Sequence, residues 1–310
     1  MTALDALQGP IDEGLIGKPP EDERGTSLWR GAFRRLRRNP SAIIGSVIVI
    51  MLVLIALLAP LLAPYEPASS EWIDQVTPAS VPGPSPGHPL GLDSFGSDML
   101  TQLIYGARQT LVIGIVSTMI GVIGGAALGV LAGGLGGWWD TGVMRFVDIL
   151  LSIPSLLLAV SIAAVMGANQ WAIMIAIGAA QIPIFARLLR GSMLGQRRQD
   201  YVLAASSLGL RHRRIVMGHV LPNSLGPLIV QATLVLATAT IEVAALSYLG
   251  LGQPDPAVAE WGRMVVKGQD RLQSDPRLTI LPGLCMTITA LGFTLFGEAL
   301  REALDPKSRR

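Results

Sequence analysis

Six long apolar runs punctuate this chain, and they limit its fold more than any other feature. They cover 42–63 and roughly 109–132, 143–167, 170–187, 226–247 and 279–300. As a helix, each has the length to cross, or nearly cross, ~30 Å of hydrocarbon. Half of the 310 residues are hydrophobic and only 15% are charged. A soluble domain of this size needs far more polar surface. The predicted class is therefore all-α integral membrane, a six-helix polytopic bundle. The net charge of +2 gives no argument for nucleic acid as a partner. The single cysteine, Cys285, lies in an apolar run and excludes a disulfide framework or a cysteine-rich metal site.

The segment 1–27 is polar, acidic and Pro/Gly-bearing and reads as a disordered tail. Arg24, Arg30, Arg34, Arg35, Arg37 and Arg38 follow and lead straight into the run 42–63. That leader and run are too long for a signal peptide, and Pro64 stands where cleavage would fall, so the first span is expected to be uncleaved. The arginines and lysines then set the orientation. With the first 41 residues inside, the segments 188–225 and 301–310 are also inside, bringing Arg190, Arg197, Arg198, Arg211, Arg213, Arg214, Arg301, Lys307, Arg309 and Arg310. The outer segments 64–108 and 248–278 hold only Arg108, Arg263, Lys267, Arg271 and Arg277, balanced by acids. Both ends are expected in the cytoplasm. The Pro-rich stretch from 64 is an external loop.

Within the second run Ser117, Gly121, Gly125, Gly129 and Gly133 recur every four residues and make a smooth ridge. Close backbone approach over small residues is a main source of helix association in lipid. Pro154 and Pro282 are expected to kink the third and sixth spans.

No phosphate-binding loop, zinc-protease motif or nucleophile elbow occurs, and His88, His212 and His219 are too scattered for a metal site. Nothing here supports catalysis by the chain. Two ionisable residues fall within the runs, Asp148 and Glu242. Glu242 sits deep, where a carboxylate either lines a pathway or bonds a neighbouring helix. Asp148 follows Arg145 by three residues, so an ion pair between them is expected.

The segment 200–210 reads as a short helix with its own punctuation. Asp200 suits an N-cap and Gly209 a left-handed C-terminal position. Tyr201, Ala204, Ala205 and Leu208 share one face, apolar but small, suited to a groove on another protein. Its rival is a helix lying flat on lipid. His219, Leu221, Pro222 and Asn223 follow before the fifth span.

At this segment the sequence resembles the permease subunits of binding-protein-dependent ABC importers. Their signature is a loop of the form E-A-A-x-x-x-G, then L-P-N about ten residues on. Ala204, Ala205 and Gly209 match, as do His219, Leu221, Pro222 and Asn223, while Leu203 replaces the glutamate. Other stretches are similar to the C-subunit permease of dipeptide and oligopeptide transporters. These are 38–42, 59–67, 88–93 through 103–108 with Ser97 where arginine is usual, 247–252, 261–262 and 300–306.

The resemblance implies a type I importer permease. It would comprise the tail 1–41, a first helix 42–63, an external loop 64–105, a core 106–300 with a coupling loop 188–225, and the tail 301–310. The helix 201–208 would be a coupling helix seated in a separate ATPase subunit. ATP and magnesium would belong to two such partners, leaving this chain without a cofactor of its own. A second homologous permease and an extracytoplasmic substrate-binding protein complete the implied assembly, within membrane lipid. The ridge and the segment 253–275 are candidate subunit contacts. Di- or oligopeptides are the implied cargo, with nickel or haem as the alternative. A channel or secondary carrier would call for more intramembrane charge or an inverted repeat. An intramembrane enzyme would need two carboxylates at one depth, which Asp148 and Glu242 do not supply.

Overall fold

The computed structural model describes residues 34–304 apart from 68, 78, 79, 256 and 257. The tail 1–27, Arg24, Arg30, Lys307, Arg309 and Arg310 lie outside those residues. The described chain is helical, with two isolated bridges and no strand. Its main helices are α1 (Pro40–Leu57), α2 (Met99–Leu135), α3 (Gly137–Leu151), α4 (Ser155–Met166) and α5 (Gln170–Gln196), followed by α6 (Asp200–Ser207), α7 (His212–Tyr248), α8 (Trp261–Gly268) and α9 (Arg277–Leu304). Among them α1, α2, α5, α7 and α9 are long and apolar enough to span a bilayer, and α3 with α4 makes a sixth unit bent by 89°.

Two spans begin much earlier than hydropathy predicts. Helix α2 starts at Met99 because Asp98 caps it, its carboxylate accepting from the Thr101 amide and hydroxyl at 2.8 Å each. Helix α7 starts at His212 and runs through Pro222. Proline lacks the N–H for the usual bond four residues back. A π-turn over Val216–Val220 absorbs the fault, and the Leu221 amide reaches the Val216 carbonyl instead. Hence His219, Leu221, Pro222 and Asn223 sit in a continuous helix rather than in a loop before one.

The kink expected at Pro154 is a complete break. Helix α3 ends at Leu151, and Pro154 is extended with ψ 135° before α4 restarts at Ser155. Two ion pairs fasten α3 along α5. Arg190 meets Asp140, with Nε at 2.5 Å and Nη2 at 2.8 Å, and Arg187 meets Asp148. Asp148 therefore bonds across to α5, and the expected pairing with Arg145 is not what the structure forms.

Helix α5 is the centre of the bundle, with 67% of its apolar stretch buried against 22% for α1. The ridge of α2 explains this. Ser117, Gly121, Gly125, Gly129 and Gly133 are all buried and face α5. A methyl at Gly125 would stand 2.3 Å from Phe185 Cβ and 2.8 Å from the Ile182 carbonyl, so the backbones touch only because the side chain is absent. The ridge thus serves packing inside the chain, a correction to its reading as a subunit contact. Helix α1 is peripheral. It buries Ala42, Leu52 and Ala56, packs on α9 and α2, and exposes Ile44, Val47, Met51 and Leu54.

The segments between α1 and α2 and between α7 and α9 fold together as a cap at one end. The Arg277 guanidinium donates to the carbonyls of Leu90 at 2.6 Å, Pro82 at 2.7 Å and Leu92 at 3.3 Å, while pairing with Asp275 at 2.8 Å. The rings of Tyr65, Trp72 and His88 pack together, and His88 Nδ1 lies 3.0 Å from the buried Asp98. Trp261 Nε1 donates to the Leu103 carbonyl at 2.9 Å and so ties α8 to α2. Glu260 is 1% exposed and caps α8, accepting from the amides of Gly262 at 2.6 Å and Arg263 at 3.1 Å and from Ser247 Oγ at 2.9 Å. Burial pushes the Glu260 carboxyl above the usual carboxylate range, and does the same to Asp93.

Candidate functional site: a capped surface helix and an intramembrane carboxylate

The candidate residues fall into two places. The first is α6, at the end of the bundle opposite the cap. Its N-cap is Gln199, with Asp200 one position inside as the first helical residue and no side-chain capping bond. The C-terminus is a full left-handed cap. Gly209 has φ +76°, its amide bonds the Ser206 carbonyl at 3.0 Å, and the Leu210 amide bonds the Ala205 carbonyl at 3.3 Å. A side chain other than glycine is strained in that backbone conformation.

Helix α6 has two faces. Val202 and Ala205 are buried and pack with Met193, Ile215, Val216 and Val220, so the helix sits on a firm apolar base. Tyr201, Leu203, Ala204 and Leu208 point outward, Leu208 being 83% exposed. The outward set differs from the expected one: Ala205 belongs to the base, and Leu203 takes its place. The Tyr201 hydroxyl donates to Gln196 Oε1 at 2.8 Å, which fixes the ring beside the helix start. Further on, Leu221 packs on the same apolar base, His219 is half-buried, and Pro222 and Asn223 are exposed, with Asn223 Nδ2 bonding the His219 carbonyl at 2.7 Å.

The second place lies within the bundle. Glu242 of α7 accepts from Gln181 Nε2 at 3.3 and 3.4 Å and from Ser155 Oγ at 3.5 Å. Gln181 is buried on α5, and Ser155 opens α4 immediately after the break at Pro154. The carboxylate thus joins three helices at the point where one span is interrupted. Interrupted backbone at membrane depth is tolerated only inside protein or along a water-filled cavity. Glu242 remains partly exposed, so it bonds its neighbours and keeps an open side.

Sequence reasoning missed the residues that hold these places. Arg197 and His212, which bind the carbonyls of Gly133 and Gly134 on either side of α6, read in the sequence only as a charge and an isolated histidine, and Gln181 and Ser155, the partners of Glu242, carry no signal there. A guanidinium or imidazole binding backbone carbonyls leaves no trace in residue spacing.

Comparison with known proteins agrees with this geometry. The family model described as the binding-protein-dependent transport system inner membrane component matches residues 125–310, and that for the N-terminal TM domain of oligopeptide transport permease C matches 27–79. The dipeptide transport system permease protein DppC of Alkalihalophilus pseudofirmus is 41% identical over 292 residues, 94% of each chain. The glutathione transport system permease protein GsiD of Pectobacterium atrosepticum is 36% identical over 92% of this chain and 93% of its own. The di/tripeptide transport system permease protein DppC of Pseudomonas aeruginosa is 40% identical over 89% and 91%. Among solved structures, a chain of the MetNI methionine ABC transporter has the same fold, with a TM-score of 0.55 at 20% identity, over 67% of this chain and 98% of that one. The chain is a multi-pass protein of the bacterial inner membrane and belongs to the family of inner-membrane permease components of binding-protein-dependent transport systems.

Proposed function

We propose that the chain is one permease subunit of an ATP-driven importer of di- or oligopeptides, and that α6 is its docking helix for a separate ATPase. The observation that carries this reading is the outward face of α6. Tyr201, Leu203, Ala204 and Leu208 form an apolar patch on a capped helix whose other face is anchored in the chain's own core. The cargo class follows the peptide permeases that the chain resembles along nearly its whole length.

In this mechanism a second homologous permease completes the pore, and two ATPase subunits bind ATP and magnesium. An extracytoplasmic binding protein delivers cargo at the cap end. Both chain ends and α6 face the cytoplasm, in keeping with the arginine bias. Closure of the ATPase pair moves α6 as a rigid lever, and the spans rock between two open states. Glu242 borders the path that opens.

The test is ATP-dependent uptake of a labelled dipeptide by proteoliposomes containing the complete complex. We expect accumulation that requires ATP, binding protein and this chain together. Uptake of nickel or haem but not dipeptide would change the cargo. Uptake by this chain alone would overturn the permease-subunit reading. Topology is checked separately: a cysteine at Ser206 is expected to react only from the cytoplasmic side, and labelling from outside intact cells would invert the orientation.

A further inference from the structure

Two residues that flank α6 in sequence converge on a single spot elsewhere in the fold. Arg197, just past the end of α5, sends Nη1 to the Gly133 carbonyl at 2.9 Å. His212, the first residue of α7, places Nε2 2.8 Å from the Gly134 carbonyl. A carbonyl only accepts, so Nε2 carries the imidazole proton; Arg197 Nη2, 3.2 Å away, is its neighbour and not its donor. Gly133 and Gly134 belong to the π-turn Leu131–Leu135 that ends α2. The last carbonyls of a helix have no partner within it. Here two of them are taken by side chains from either side of α6.

The spot they grip is a joint. Beyond the π-turn, Gly136 and Gly137 have φ +70° and +58°, and α3 begins at once in a new direction. Arg190 of α5 holds the first turn of α3 through Asp140. Met193 and Val216, which form part of the base under α6, pack against Gly133 and Gly134. The α2–α3 joint is thus held by three polar side chains and an apolar base that all belong to the α5–α6–α7 segment.

We propose that Arg197 and His212 are positioning residues that clip the docking helix to the α2–α3 joint. Displacement of α6 is then transmitted to α2, the long helix packed along α5, and does not dissipate in the loops on either side of α6. The clip rests on the reading of α6 as the ATPase-docking helix.

The experiment uses the whole transporter in proteoliposomes, with peptide uptake and ATP hydrolysis recorded on the same vesicles. Arg197→Ala and His212→Ala are each expected to lower the peptide moved per ATP about five- to tenfold, with hydrolysis near the wild-type rate. His212→Gln, whose amide can still donate to a carbonyl, is expected to recover most of the ratio. A residue that merely stabilises the fold would lower both activities together and leave their ratio unchanged, and that outcome overturns the clip. So does a wild-type ratio in assembled His212→Ala, which decides the matter alone should Arg197→Ala fail to assemble. Gly209→Val serves as the control. If it uncouples while the clip variants do not, only the clip is wrong; if neither alters the ratio, the docking-helix reading fails with it.

Discussion

The two ends of this molecule solve opposite problems. At the cap end, irregular backbone is gathered inward. Arg277 satisfies three carbonyls from the segment before α2, Glu260 satisfies two amides at the start of α8, and Trp261 binds a carbonyl of α2. At the α6 end a regular helix is pushed outward with Leu203 and Leu208 uncovered. An unmade hydrogen bond at a buried group costs about 1–3 kcal/mol, so the cap must close on itself. Exposed leucines cost little in the isolated chain, yet they yield stabilisation when a partner covers them, about 25 cal/mol per Å² of apolar surface. The cap satisfies these backbone groups within the chain, whereas the outward face of α6 is the surface that the proposed ATPase would cover.

The largest expected effect that sharpens this contrast is at Gly209. Gly209→Val places a β-branched residue at φ +76°, a strain of about 1–3 kcal/mol confined to the end of α6. Uptake should be abolished while the protein still inserts and accumulates in the membrane, as followed by transport assay and immunoblot. Normal uptake would remove the special role of α6. Arg277→Ala should act at the other end. Removing the guanidinium strands the carbonyls of Leu90 and Leu92, leaves that of Pro82 with the Leu92 amide alone, and should destabilise the cap by about 3 kcal/mol. Hydrogen exchange should accelerate across 82–92 while ATPase binding is retained. Loss of ATPase binding in that variant would mean that the two ends are not independent.

A smaller effect separates both ends from the core between them. Gly125→Ala forces a methyl against Phe185 and should lower the thermal stability of the purified chain by about 1–3 kcal/mol, leaving association with the proposed second permease unchanged. The smallest concerns pH. The Glu260 carboxyl is raised by burial, so the folded cap binds its proton more tightly than the unfolded chain does. The contribution to stability is greatest at low pH and is lost as pH rises through the ordinary carboxylate range up to the raised value. Glu260→Gln should flatten that dependence in a melting series. A variant that keeps the wild-type slope would assign it to another group.

Much of the fold was legible because lipid leaves so few choices: an apolar run of spanning length becomes a helix. The ends of the helices were not legible. Helix α2 begins at a polar cap, Asp98, and α7 runs through Pro222 by means of a π-turn, and neither device changes hydropathy. The ridge of α2 was visible as a packing surface, but sequence spacing does not say which helix it meets. Tertiary context also overrode local proximity at Asp148: the break at Pro154 lays α3 along α5, where Arg187 is the partner, although Arg145 lies one turn away. At α6 the left-handed glycine was readable from its residue type. The faces were not, because Ala205 and Leu203 exchange sides according to how the helix sits on Val216 and Val220.

The most direct measurement is photo-crosslinking from α6 in native membranes. A photoreactive residue at Leu208, in cells that express the whole transporter, is expected to give one adduct with the ATPase subunit, strongest with nucleotide bound. The same probe at Leu272, an exposed leucine of the cap end, should give no adduct with the ATPase. Adducts from Leu208 with lipid alone would make α6 a membrane-surface helix and contradict the account.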